Sequence, residues 1–133
     1  MKKIEHIGIA VKDIEASNKL FAKIFGKDAY KIENVESESV TTSFFQIGEN
    51  KLELVAATNK DSPIAKYLTK NNEGLHHIAF DVENIFSEMK RLKKEGFRLL
   101  NDTPKKGADN KLICFLHPKD TNGVLIELCQ EID

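Results

Sequence analysis

Two stretches of this chain copy each other, and that repeat limits the fold more than any other feature. His6-Ile-Gly-Ile-Ala-Val-Lys-Asp-Ile14 aligns with His77-Ile-Ala-Phe-Asp-Val-Glu-Asn-Ile85. Both run His-Ile, a small residue, an apolar one, a small or polar one, Val, a charged residue, Asp or Asn, then Ile. Each reads as a short strand followed by a helix. In the first copy Asp13 is placed to cap a helix whose stripe is Ile14, Leu20, Phe21, Ile24 and Phe25, ended by Gly26. In the second, Asn84 caps a stripe of Ile85, Phe86, Met89 and Leu92, and Gly96 stops it. Three strand-like runs follow each helix, over 29–35, 41–47 and 51–56, then over 97–100, 111–116 and 124–129. The last run of each copy holds a glutamate between apolar neighbours, Leu52-Glu53-Leu54 and Ile126-Glu127-Leu128.

The expected organisation is therefore one α+β domain of two tandem βαβββ modules, over about 3–57 and 75–130. Between them Asp61-Ser62-Pro63 is a helix start, a cap followed by Pro in the first turn, and opens a linker helix within about 61–71. Together the strands are expected to form a curved mixed sheet around a cup.

Strand alternation assigns the polar residues to that cup. Ile7, Ile9 and Val11 take the helix-facing side, and His6, Gly8 and Ala10 the other. In the second copy Ile78, Phe80 and Val82 face the helix, while His77, Ala79 and Asp81 look away. His76, adjacent to His77, falls on the opposite side and reads as structural. Leu52 and Leu54 pack, leaving Glu53 with Lys51 and Val55. Val124, Ile126 and Leu128 pack, leaving Glu127 with Leu125 and Cys129. If duplicated halves pair about a pseudo-twofold axis, His6, Glu53, His77 and Glu127 converge. A lone His or Glu on a strand is usually solvated; four in two matched pairs read as ligands of one divalent metal. His117 has no counterpart and lies in a His-Pro-Lys turn.

Two nitrogens and two oxygens without thiolate suit Co²⁺, Ni²⁺, Mn²⁺, Zn²⁺ or Mg²⁺. On an octahedral ion they leave two adjacent positions, enough for a chelating substrate. Such an ion is a Lewis acid for an enolate oxygen, which points to enolisation chemistry. An iron oxygenase would show two His and one carboxylate, and the fourth donor speaks against it.

Composition narrows the partners. The 20 Lys and Arg nearly balance the 21 Asp and Glu, so no net field favours nucleic acid or an anionic membrane. No run reaches the roughly 20 apolar residues of a membrane span. The N-terminus meets Asp13 before any long apolar run, so no signal peptide is expected and the expected location is cytoplasmic. Cys114 and Cys129, the two cysteines, lie in apolar runs and read as core.

Four stretches, IEHIGIAVKDIE (4–15), DSPIAKYL (61–68), GLHHIAFDV (74–82) and LHPKDTNGVLIELCQ (116–130), carry a resemblance that spans nearly the whole chain. With them the chain resembles the vicinal oxygen chelate (glyoxalase/bleomycin-resistance) superfamily and, within it, the methylmalonyl-CoA epimerase family. The resemblance implies a glyoxalase-like fold and a homodimer. It also implies 1,1-proton transfer on an acyl-CoA substrate, with one divalent ion per chain, cobalt foremost. It implies His6, His77 and Glu127 as ligands, with position 53 as the fourth. Some family members carry Gln there, where this chain has Glu53.

For the two faces of the enolate, Glu127 is the family's base on one side. The other side is open: some members have a glutamate where this chain has Thr42, which leaves Glu53 first and Glu38 second. Lys105, Lys106 and Lys119 are either contacts for CoA phosphates or solvated loop residues. Lactoylglutathione lyases are the nearest rival family, though the run Leu-His-Pro-Lys-Asp-Thr-Asn-Gly differs from their Asp-Pro-Asp-Gly turn. A metal-free binding module on the same fold is the other alternative.

Overall fold

A computed structural model describes residues 1–133. Eight strands and three α-helices divide into two compact units, Ile7–His76, and Met1–His6 together with His77–Asp133. The division runs through the first strand, β1 (Lys3–Ala10), and through β5 (Gly74–Asp81), at the two repeated histidines.

In the unit Ile7–His76, helix α1 (Ile14–Phe25) starts where expected. The Asp13 carboxylate accepts from the Ala16 amide at 3.1 Å, satisfying an N–H that the helix itself cannot. Gly26 ends it in the left-handed conformation (φ 71), with its amide donating to the Ala22 carbonyl. Strands β2 (Lys31–Val35), β3 (Val40–Ile47) and β4 (Asn50–Ala57) form an antiparallel meander, in which Phe44 faces Glu53 and Thr42 faces Val55. The core between sheet and helix is Phe45, Leu54, Val11 and Ala56, covered by Phe21 and Phe25. Leu20 and Ile24, expected in the stripe, are exposed. At about 100° per residue they rotate off the flank of Phe21 and Phe25, and the buried stripe is narrower than the apolar one. Ile7 is likewise exposed rather than packed on the helix. Helix α2 (Pro63–Asn71) opens on Ser62, whose hydroxyl accepts from the Ile64 amide. His76 stands edge-on to the Tyr67 ring at 4.8 Å, and the Tyr67 hydroxyl donates to the Leu75 carbonyl. This is the structural setting its parity implied.

In the other unit, β5 runs parallel to β8 (Ile126–Glu131), with Ala79 opposite Glu127. Strand β8 then pairs antiparallel with β7 (Lys111–Leu116), and β7 with the two-residue β6 (Lys105–Lys106). Helix α3 (Ile85–Lys94) has Asn84 as its cap, accepting from the Ser87 amide. Its Ile85, Met89 and Leu92 bury against Cys114, Leu116 and Leu128. Three expectations fail here. Phe86 is exposed on the outer flank of α3. The segment 97–100 is not a strand: only Leu99 bridges Leu116, because the Asn101 side-chain oxygen takes the Phe115 amide and ends the ladder. Arg98 instead grips Asp120, and its side-chain and backbone hydrogen bonds hold that carboxyl down at about 2. Val124 lies outside β8, exposed in a turn closed by the Thr121 hydroxyl on its carbonyl. Both cysteines are free and buried, as expected, and burial pushes each thiol up from its ordinary value.

Candidate metal centre

Three of the four proposed donors belong to the unit formed by Met1–His6 and His77–Asp133. His6 comes from β1, His77 from β5 and Glu127 from β8. Paired residues of neighbouring strands share a face, so the Ala79–Glu127 register places Glu127 on the side that His77 and Ala79 share. The parity argument is thus met on β5 and β8. Ala79 and Cys129, both fully buried, pack with Ile113 and Phe115 beside the donors, and the Phe115 ring meets the His77 ring edge-on at 6.2 Å.

The donor atoms converge within 4.8 Å of one another. His6 Nε2 is 3.1 Å from His77 Nε2, and Glu127 Oε1 is 3.4 Å from His77 Nε2 and 3.9 Å from His6 Nε2. The rings are nearly perpendicular, 5.1 Å between centroids. All three residues are 5–6 % exposed. Metal bonds of about 2.1 Å at right angles put two donors about 3.0 Å apart, so the two imidazoles are already at ligand spacing. Two imidazole nitrogens and one carboxylate, all buried, are a donor set that suits a divalent borderline ion. The residues fit the group.

The remaining sequence candidates are placed as follows. Glu53 is buried on β4 in the unit Ile7–His76, opposite Phe44. Glu38 ends a 3₁₀ turn (Glu36–Glu38) and Thr42 is buried on β3, both in that same unit. Lys105 and Lys106 form the exposed strand β6, and Lys119 is exposed in the 3₁₀ turn Pro118–Asp120. His117 caps that turn by accepting the Lys119 amide on Nδ1.

One residue escaped the sequence reading. Glu5 is 4 % exposed, and its Oε1 lies 3.1 Å from His6 Nδ1. Alternation sends neighbouring side chains apart, which is why the pair Glu5-His6 drew no notice. The Nδ1 edge of an imidazole lies beside its own backbone, however, within reach of a long preceding side chain. An acid directly before a candidate ligand histidine was the available signal.

Residues 5–115 match the family described as Glyoxalase/Bleomycin resistance protein/Dioxygenase superfamily. The ethylmalonyl-CoA/methylmalonyl-CoA epimerase of Cereibacter sphaeroides is 39% identical over 130 residues, 96% of this chain and 97% of that protein. A variant of Streptomyces coelicolor methylmalonyl-CoA epimerase, solved in complex with 2-nitronate-propionyl-CoA, superposes with a TM-score of 0.96. It is 34% identical, over 100% of this chain and 99% of that one. A probable lactoylglutathione lyase of Synechocystis is more distant, at 26% identity over 94% of this chain and 92% of that protein.

Proposed function

Since the chain belongs to the glyoxalase/bleomycin resistance protein/dioxygenase superfamily, and within it to the methylmalonyl-CoA epimerases, we propose that it interconverts (2R)- and (2S)-methylmalonyl-CoA. The observation that carries this is the buried His6–His77–Glu127 trio, set at metal-ligand spacing in a chain that aligns end to end with an epimerase.

A divalent ion, when bound, supplies Lewis-acid stabilisation of the negative charge that develops on the thioester oxygen as C2 loses its proton. In this proposal His6, His77 and Glu127 hold the ion, and Glu53 is the fourth ligand by its place in the repeat. Cobalt is the first choice, with Ni²⁺, Mn²⁺, Zn²⁺ and Mg²⁺ compatible with the same donors.

Epimerisation requires a proton to leave one face of C2 and return to the other, through a planar enolate. Glu127 serves one face and Glu53 the other: the one that is ionised takes the C2 proton, the one that is protonated delivers a proton to the opposite face, and the reverse reaction exchanges the two roles. Both side chains are buried, which keeps bulk water from competing for the proton they would move. Exposed Lys105, Lys106 and Lys119 are proposed contacts for the CoA phosphates, as flexible point charges. No helix is long and apolar enough to cross a membrane. A homodimer in the cytoplasm belongs to the same proposal and rests on the resemblance alone.

Proton NMR of (2R)-methylmalonyl-CoA in D₂O tests the activity. With the Co²⁺-loaded protein the C2 proton signal is expected to disappear and the other epimer to form, both at rates proportional to protein. Turnover of a glutathione hemithioacetal, with the CoA thioester untouched, would replace this reading with that of a lactoylglutathione lyase.

A further inference from the structure

The carboxylate beside His6 has no part in the mechanism above, yet it is as buried as the donors themselves. Glu5 Oε1 stands 3.1 Å from His6 Nδ1, while His6 Nε2 points at His77 Nε2 and Glu127 Oε1. We propose that Glu5 is a positioning residue that fixes His6 as the Nδ1–H tautomer, so that Nε2 presents its lone pair to the metal. This rests on the metal centre proposed above and adds a partner to it.

The two ring nitrogens of a neutral imidazole are coupled, since one carries the hydrogen and the other the lone pair. An ionised carboxylate only accepts, so its contact at Nδ1 places the hydrogen there. Nε2 is then a lone pair, 3.1 Å from His77 Nε2. The opposite arrangement, with a neutral Glu5 donating to Nδ1, would put a hydrogen on His6 Nε2 and close that nitrogen to any ion. The bond also restrains the ring. An imidazole held at Nδ1 does not rotate about its Cβ–Cγ bond, and the perpendicular setting of the two rings is kept. The repeat copies the ligand but not this partner. The residue before His77 is His76, which is engaged with Tyr67.

The test uses metal-free protein and Co²⁺ alone. In wild-type protein without metal, ¹⁵N–¹H long-range correlation spectra are expected to show His6 as the Nδ1–H tautomer. In Glu5→Ala they should show the Nε2–H form gaining population. Competition with a chromogenic chelator should show Co²⁺ affinity falling about 10- to 100-fold in Glu5→Ala. Glu5→Gln, whose amide oxygen can still accept from Nδ1, should retain more of both properties. An Nε2–H tautomer for His6 in the wild type overturns the proposal. So does wild-type Co²⁺ affinity in a Glu5→Ala protein whose circular dichroism shows it folded. If Glu5→Ala fails to fold, the wild-type tautomer and the Glu5→Gln affinity decide. A wild-type protein that shows the Nδ1–H tautomer but takes up no Co²⁺ would remove the metal centre, and the proposed role for Glu5 with it. Wild-type Co²⁺ uptake with unchanged affinity in Glu5→Ala removes only the role of Glu5.

Discussion

A His77→Ala protein is expected to fold, to lose its divalent ion, and to exchange the C2 proton of methylmalonyl-CoA about a thousandfold more slowly or worse. Lewis-acid stabilisation of developing charge is worth several kcal/mol, and each ~1.4 kcal/mol is a factor of ten in rate. The fold should survive, because the His77 side chain faces other polar donors and the edge of Phe115 rather than one of the main apolar clusters. Metal content by mass spectrometry of the purified protein, together with the exchange rate, decides it. A folded His77→Ala protein that keeps full metal content and full exchange would end the ligand assignment and the strand register behind it.

The second large effect is on stability. Phe45 is fully buried in the unit Ile7–His76, packed with Leu54 and Val11 beneath α1, its ring 5.4 Å from that of Phe25. Phe45→Ala removes that area and leaves a cavity, which costs about 3–5 kcal/mol. Total stabilities of such domains are about 5–15 kcal/mol, so the variant should stand close to its unfolding threshold. Urea denaturation followed by circular dichroism should show a midpoint far below that of the parent. A loss under about 1 kcal/mol would mean that the helix and sheet of this unit are held together elsewhere.

The repeat made much of this structure readable, for physical reasons that differ from residue to residue. Asp13 and Asn84 were legible because a short acceptor before an amphipathic run has one common use, and both cap their helices. The convergence of His6, His77 and Glu127 was legible because polar residues at matched strand positions share a face. Helix burial was less legible. Leu20, Ile24 and Phe86 are apolar and near the stripe, but sequence does not show how wide a strip the sheet covers. The segment 97–100 misled because its apolar character is real while its ladder is cut short by one side chain, that of Asn101. Glu5 was hidden by the alternation rule itself, which tracks Cβ directions and ignores how far a long side chain reaches around a ring. Glu53 still rests on its place in the repeat and on its burial on β4.

The central claim is that His6, His77 and Glu127 together hold the ion on which proton transfer depends. Anomalous scattering from a crystal of the Co²⁺-loaded protein, collected at the cobalt edge, tests it most directly. The account predicts one strong peak per chain within bonding distance of His6 Nε2, His77 Nε2 and a Glu127 carboxylate oxygen. A cobalt peak at other residues, with these three side chains still turned on one another, would contradict it.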